Sequence, residues 1–168
     1  TGYMFHLLTG KITFWSCQFL SKNTRFRGRN SGVQLRFSKC LVEHSCYLPS
    51  RMEPANPLPF LGVSNAAQAW VEDCVIVGKE WTPIREKEPK VNYIMMAYEE
   101  ANVSVRGPRG GQLTVRNTQF TGFYTCAVQA DGGGSTVEVV GCTFQPSRHP
   151  TITLADHYVQ AVDRATAT

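Results

Sequence analysis

Val137–Phe144 reads V-E-V-V-G-C-T-F, and relatives of this octet recur along the chain. Ile12–Phe19 is I-T-F-W-S-C-Q-F, Leu35–Val42 is L-R-F-S-K-C-L-V, and Ala69–Ile76 is A-W-V-E-D-C-V-I. Leu113–Phe120 is L-T-V-R-N-T-Q-F, and Gln160–Ala167, Q-A-V-D-R-A-T-A, is a faded copy. In all six an apolar residue stands three places before a Cys, Thr or Ala; in the first five another stands two places after it. Repeats at such spacing signal a stacked architecture in which each unit buries its apolar face against the next.

Within each copy the apolar residues alternate, as in Leu113-Thr114-Val115, which is the period of a half-buried strand. The small residues at 17, 40, 74, 118, 142 and 165 then form a column, each opening a second short strand. Just before them stand Ser16, Lys39, Asp73, Asn117, Gly141 and Arg164. Asn, Asp and Gly tolerate a left-handed backbone, so one residue here bends the chain without a loop. A third strand is expected before most copies, at Met4–Leu8, Pro59–Val63, Tyr93–Ala97, Cys126–Ala130 and Thr151–Ala155, each followed by a polar turn.

Three strands per coil, with one sharp bend through a left-handed residue, resemble the right-handed parallel β-helix of the pectin-lyase-like superfamily. The resemblance covers nearly the whole chain and implies a single all-β domain, 1–168, of about six coils with three short strands each. It implies little about activity, because that fold hosts lyases, hydrolases, tailspikes, adhesins and stalks. A β-sandwich is the competing architecture. A helical fold is excluded: no segment keeps a 3.6-residue period for three turns, and 14 Gly with 9 Pro punctuate the chain.

Uneven spacing along the column shows where the coil is decorated. Insertions are read at 43–58 and 79–92, both leaving from the same corner in adjacent coils, where strands lie ~4.8 Å apart. The span 79–112 also has room for one more short coil. Arg106–Gly111, R-G-P-R-G-G, is a further loop at another corner.

Bulk properties limit the function. The chain has 168 residues, 42% of them hydrophobic and 18% charged, enough for one folded core. Net charge is +4, but its 17 Lys and Arg are scattered without a basic run or basic–aromatic interleaving. Nucleic acid as the main partner is therefore not supported, although weak polyanion affinity is compatible with the charge. No apolar run approaches the ~20 residues of a membrane span. The chain opens at Thr1-Gly2-Tyr3 without a signal peptide and reads as a piece of a longer polypeptide; its compartment leans toward an extracellular or surface assembly. Of six cysteines, four occupy the column, which favours reduced thiols packed as small hydrophobes over a disulfide framework. Cys46 and Cys126 lie outside the column and are the remaining pair. No Cys or His spacing points to zinc, and no cofactor is expected.

Two candidate sites emerge. In the first, Glu99, Glu100, Asp131 and Asp156 fall in the same turn of successive coils, with His157 beside the last. Stacked carboxylates raise one another's pKa and serve as acid and base for glycoside hydrolysis, or hold Ca²⁺ in a polysaccharide lyase. Hydrolases of the resembling superfamily place Asp on neighbouring coils, but the Gly-His-Gly element of polygalacturonases and the Arg-x-Pro-x-x-Arg element of pectate lyases are missing. The bland alternative is that acidic residues make good, soluble turns. In the second site, Tyr47, Arg51, Trp81, Arg85 and Tyr93 on or beside the two insertions offer flat aromatic faces and guanidinium forks suited to sugars and acidic glycans.

The favoured expectation is thus a non-catalytic scaffold or recognition module binding carbohydrate or a protein partner through 43–58 and 79–92. The enzyme is the first alternative, and a structural part of a spike, stalk or shell is the second. Trp15 and Trp70, at outward phase in their strands, are available to a flank or a neighbouring subunit, and side-by-side homotrimers are one form such an assembly takes.

Overall fold

A computed structural model describes residues 5–20, 24–44, 59–78, 93–99, 109–122, 126–146, 158–162 and 165–168. Strands recur in threes. The first of each set lie in one sheet: β1 (Phe5–Leu7), β4 (Phe26–Arg29), β7 (Leu61–Ser64), β10 (Tyr93–Tyr98), β13 (Cys126–Asp131) and β16 (Val159–Val162). Sheet 2 stacks β2 (Lys11–Trp15), β5 (Gln34–Ser38), β8 (Gln68–Glu72), β11 (Gln112–Arg116), β14 (Thr136–Val140) and β17 (Thr166–Ala167). Sheet 3 stacks β3 (Gln18–Phe19), β6 (Leu41–His44), β9 (Val75–Gly78), β12 (Gln119–Gly122) and β15 (Thr143–Pro146). Every named strand pair is parallel, which removes the antiparallel sandwich and is consistent with a parallel β-helix, or solenoid.

The octet maps onto two strands and the bend between them. Leu35, Ala69, Leu113 and Val137 are register partners on sheet 2 and are buried, as are Phe37, Val71 and Val115 two places on. Next comes the bend residue, with positive φ at Ser16 (53°), Lys39 (55°), Asp73 (54°), Asn117 (48°) and Gly141 (65°). Sheet 3 then pairs Gln18, Leu41, Val75, Gln119 and Thr143, so Cys17, Cys40, Cys74, Thr118 and Cys142 immediately before them stand in line.

The faded sixth copy is out of phase. Its segment Gln160–Val162 belongs to β16 in sheet 1, not to sheet 2, and β17 pairs Thr166 with Thr136 and Ala167 with Val137. Ala165 is therefore not a member of the column. Its small side chains satisfied the repeat pattern without carrying the bulky alternation that distinguishes one sheet from another.

Third strands fall where expected at β1, β10 and β13, and slightly later than expected at β7. The last is β16, while 151–155 lies outside the described residues. One strand was unanticipated: β4, F-R-G-R, hides its alternation because Gly28 occupies an inward position. The space of a Gly28 Cβ is already taken by Leu35 Cδ1 at 3.0 Å and Val33 Cγ1 at 3.2 Å, so the next strand of the same coil supplies the missing apolar bulk.

β8 pairs directly with β11, so no extra coil intervenes between 79 and 112. The first insertion begins after β6, because Glu43 and His44 are still strand; 45–58 and 79–92 lie outside the described residues. Their points of departure, His44 and Gly78, are register partners, so both segments leave one corner from adjacent strands. At the opposite margin of sheet 1, Arg109 and Gly110 accept backbone hydrogen bonds from Asn65 (2.6 Å) and Ala66 (2.9 Å). A Cβ on Gly111 would collide with the Val63 carbonyl and one on Gly110 with the Gly134 backbone, which explains the Gly-Gly at this close backbone crossing. The interior is mainly apolar, with His44 turned inward beside Phe60 and an aromatic knot in which Phe37 meets Phe14 and Phe26 (both 5.0 Å between centroids) and Phe60 (5.5 Å).

Candidate functional site on the outer face of the first sheet

Alternation on sheet 1 sends Phe26, Leu61, Met95 and Val128 into the core. Their chain neighbours form outward rows. One runs His6, Arg27, Gly62, Met96, Gln129, Gln160; the next runs Arg29, Ser64, Tyr98, Asp131. An outward residue on an open solenoid face is normally wet, as Arg36 and Gln112 are on sheet 2. On sheet 1, however, Ser64 is buried and Gln129 is only 5% exposed. The segments 45–58 and 79–92 join sheet 3 to β7 and β10, so they attach along the margin of this face.

Within the rows, Arg27 reaches across β7 to place its guanidinium 5.7 Å from the Tyr98 ring centroid. Gly62 is its immediate partner on β7, and the absence of a side chain there leaves the path clear. Gln129 Oε1 is buried, and among the described residues it has no hydrogen-bond partner. A buried amide oxygen left unmatched costs about 1–3 kcal/mol, so such groups are rare and call for a cause.

The acidic turn is only partly assembled. Glu99 Oε2 accepts the Gly133 N–H at 2.9 Å, and Oε1 lies 4.0 Å from Arg109. The Glu99 N–H donates to the Asp131 carbonyl at 2.8 Å, and Ser135 Oγ donates to the same carbonyl at 2.7 Å. Glu99 thus clamps the turn of the next coil. Asp131 pairs with Tyr98 on one side and Val162 on the other. Glu100, Asp156 and His157 lie outside the described residues. So do Tyr47, Arg51, Trp81 and Arg85, while Tyr93 opens β10 opposite Cys126.

The thiols are structural. Cys17, Cys40, Cys74, Cys126 and Cys142 are free. Burial pushes the Cys74 thiol up to about 11 and Cys126 up to about 12, far from the thiolate form a nucleophile needs. The column does more than fill space. Cys74 Sγ and Thr118 Oγ1 donate to the carbonyls two residues back (3.2 and 2.9 Å) and accept the N–H groups of Cys40 and Cys74 (both 3.4 Å). Among the described residues no group of three His, Cys, Asp or Glu is arranged to hold a metal ion, and no helix is long and apolar enough to cross a membrane.

Sequence reasoning missed Arg27, Tyr98 and Gln129. A signal existed in the strands themselves, where a polar residue alternates with core residues, but only the register shows that these positions share a stripe. Set against protein-family models, curated proteins and solved structures, the chain matches none.

Proposed function

We propose that the chain is a right-handed parallel β-helix of about six coils, acting as a non-catalytic recognition module for carbohydrate or a protein partner. The binding elements are the segments 45–58 and 79–92, with the outward rows of sheet 1, at whose margin they attach, as the floor. Arg27, Arg29, Tyr98, Gln129 and Asp131 supply cationic, phenolic, amide and carboxylate groups along that floor, a mixture suited to hydroxyl-rich ligands. Gln129 carries the reading: an amide oxygen buried outside the core and, among the described residues, lacking a partner is the kind of group a ligand hydroxyl completes.

Catalysis draws less support, since the Glu99 carboxylate is already engaged by Gly133 and Arg109. A structural role in a larger assembly is favoured by a separate observation, the half-exposed core positions of the first coil, where Phe5 is 47% exposed. Glycan-array binding compares wild type with Trp81→Ala and Gln129→Ala. Loss of signal in the first and weakening in the second are expected; equal signal in all three removes this site.

A further inference from the structure

The outer face of sheet 2 has a chemistry of its own. Gln34, Gln68 and Gln112 are register partners whose amides form a ladder, Gln34 Nε2 donating to Gln68 Oε1 at 3.3 Å and Gln68 Nε2 to Gln112 Oε1 at 2.8 Å. Beside it run Thr13, Arg36, Trp70, Thr114 and Glu138, and beyond these Trp15, Ser38, Glu72 and Arg116. Arg36 lies 5.3 Å from the Trp70 ring centroid, and Lys39 lies 5.8 Å from that of Trp15. Trp15 is 64% exposed, so a cation over one side of its ring leaves much of the indole open to solvent.

Charge is distributed unevenly over this face. The outward positions of β2 and β5, with the bend residue Lys39, contribute Lys11, Arg36 and Lys39 and no acid. Further along, Arg116 is matched by Glu138 at 3.3 Å. The half around Trp15 is thus net positive, and the other half, with Glu72, the bend residue Asp73 and Glu138 against Arg116, is net negative.

We propose that the half of this face built by β2 and β5, with Trp70 at its border, is a second binding surface, independent of the loops, for a short stretch of an acidic polysaccharide. Trp15 and Trp70 offer rings to the apolar faces of sugars, and Arg36, Lys39 and Lys11 meet carboxylate or sulfate groups. The amide ladder offers donors and acceptors every ~4.8 Å, about the length of one sugar unit in an extended chain. A protein partner fits less well, because the cores of protein interfaces are depleted of Lys and Glu. A nucleic acid fits less well because its phosphate density calls for more cations than three.

The test is affinity electrophoresis of the full chain in alginate (carboxylate), dextran sulfate (sulfate) and neutral dextran, with a single-stranded oligonucleotide as competitor. Retardation is expected in alginate or dextran sulfate, whichever acid the face prefers, and not in dextran. The double variant Arg36→Gln, Lys39→Gln is expected to weaken it about tenfold or more, the loss of charge-assisted hydrogen bonds. Trp15→Ala is expected to weaken it severalfold, through the loss of its ring platform. Footprints at Trp15 and Trp70 report this face alone, so failure of the loop site and failure of this face are separable. Hydroxyl-radical footprinting of the unmodified protein should protect Trp15 and Trp70 in the polymer that binds, a readout that does not depend on how the variants fold. The proposal is overturned by wild-type affinity in the charge variant, by no retardation in either acidic polymer, or by equal retardation in dextran. Displacement at equimolar oligonucleotide, or footprints confined to the loops, would equally overturn it.

Discussion

At residue scale the column is the most informative feature. Thr118 replaces Cys without disturbing the ladder because both side chains are small, donate to the carbonyl two residues back, and accept the N–H of the preceding coil. Thr118→Val keeps the shape but orphans the Cys74 N–H, while the Arg116 carbonyl keeps the Asp73 N–H at 3.1 Å, and is expected to cost about 1–3 kcal/mol. Thr118→Cys should cost under about 1 kcal/mol, since an acceptor for the Cys74 N–H is retained. Urea midpoints of the two variants check the pair. Cys74 also links folding to pH. Burial raises its pKa from 9.0 to about 11, so the folded state holds the proton more tightly than the unfolded state. That contribution is full below pH 9 and is lost as pH rises through about 11, by about 1.4 kcal/mol per unit in between. Denaturant midpoints at pH 8, 9.5 and 10.5, with and without Cys74→Ala, should show the wild type losing the larger share. The column itself was legible from the repeat; its hydrogen bonds were not, because spacing reveals size and not which carbonyl lies within reach.

At the scale of the element, strands and bends follow from different physics. Alternating apolar residues define β2, β5, β8, β11 and β14, and tolerance of positive φ defines the bends that follow them. Gly122 shows the limit. It ends β12 at φ 100°, and a Cβ there would meet the Gly78 carbonyl oxygen of the adjacent strand. Gly122→Ala combines left-handed strain with a backbone collision and is expected to cost more than about 3 kcal/mol. Gly32→Ala, also at positive φ but with nothing within 4 Å of its Cβ, should cost only about 1–2 kcal/mol. Thermal unfolding of the two variants separates collision from strain. The sequence flagged neither case, because a glycine's neighbours in space belong to another coil.

At the scale of the whole molecule, the stack is quasi-one-dimensional: each coil rests on its neighbours, and among the described residues β1, β2 and β3 are paired on one side only. Phe14 is accordingly half-buried and Phe37, one coil inward, fully buried, although the two rings stack at 5.0 Å. Phe37→Ala should cost about 3–5 kcal/mol and Phe14→Ala distinctly less. In native-state hydrogen exchange β5 and β8 should be protected more strongly than β2. Equal protection in all three would indicate that something covers the first coil.

The repeat established the all-β stack, the column and the bends, because these depend on contacts between equivalent positions and so leave a periodic trace along the chain. Other features depended on the fold in three dimensions. Register excluded Ala165 from the column, although it fits the one-dimensional pattern. It also aligned Arg27, Tyr98 and Gln129 on one outer stripe, and Trp15, Trp70 and the glutamine ladder on another. Outward residues carry no constraint from the core, so nothing in their spacing announces which of them will share a face; only the pairing of strands far apart in the chain decides that.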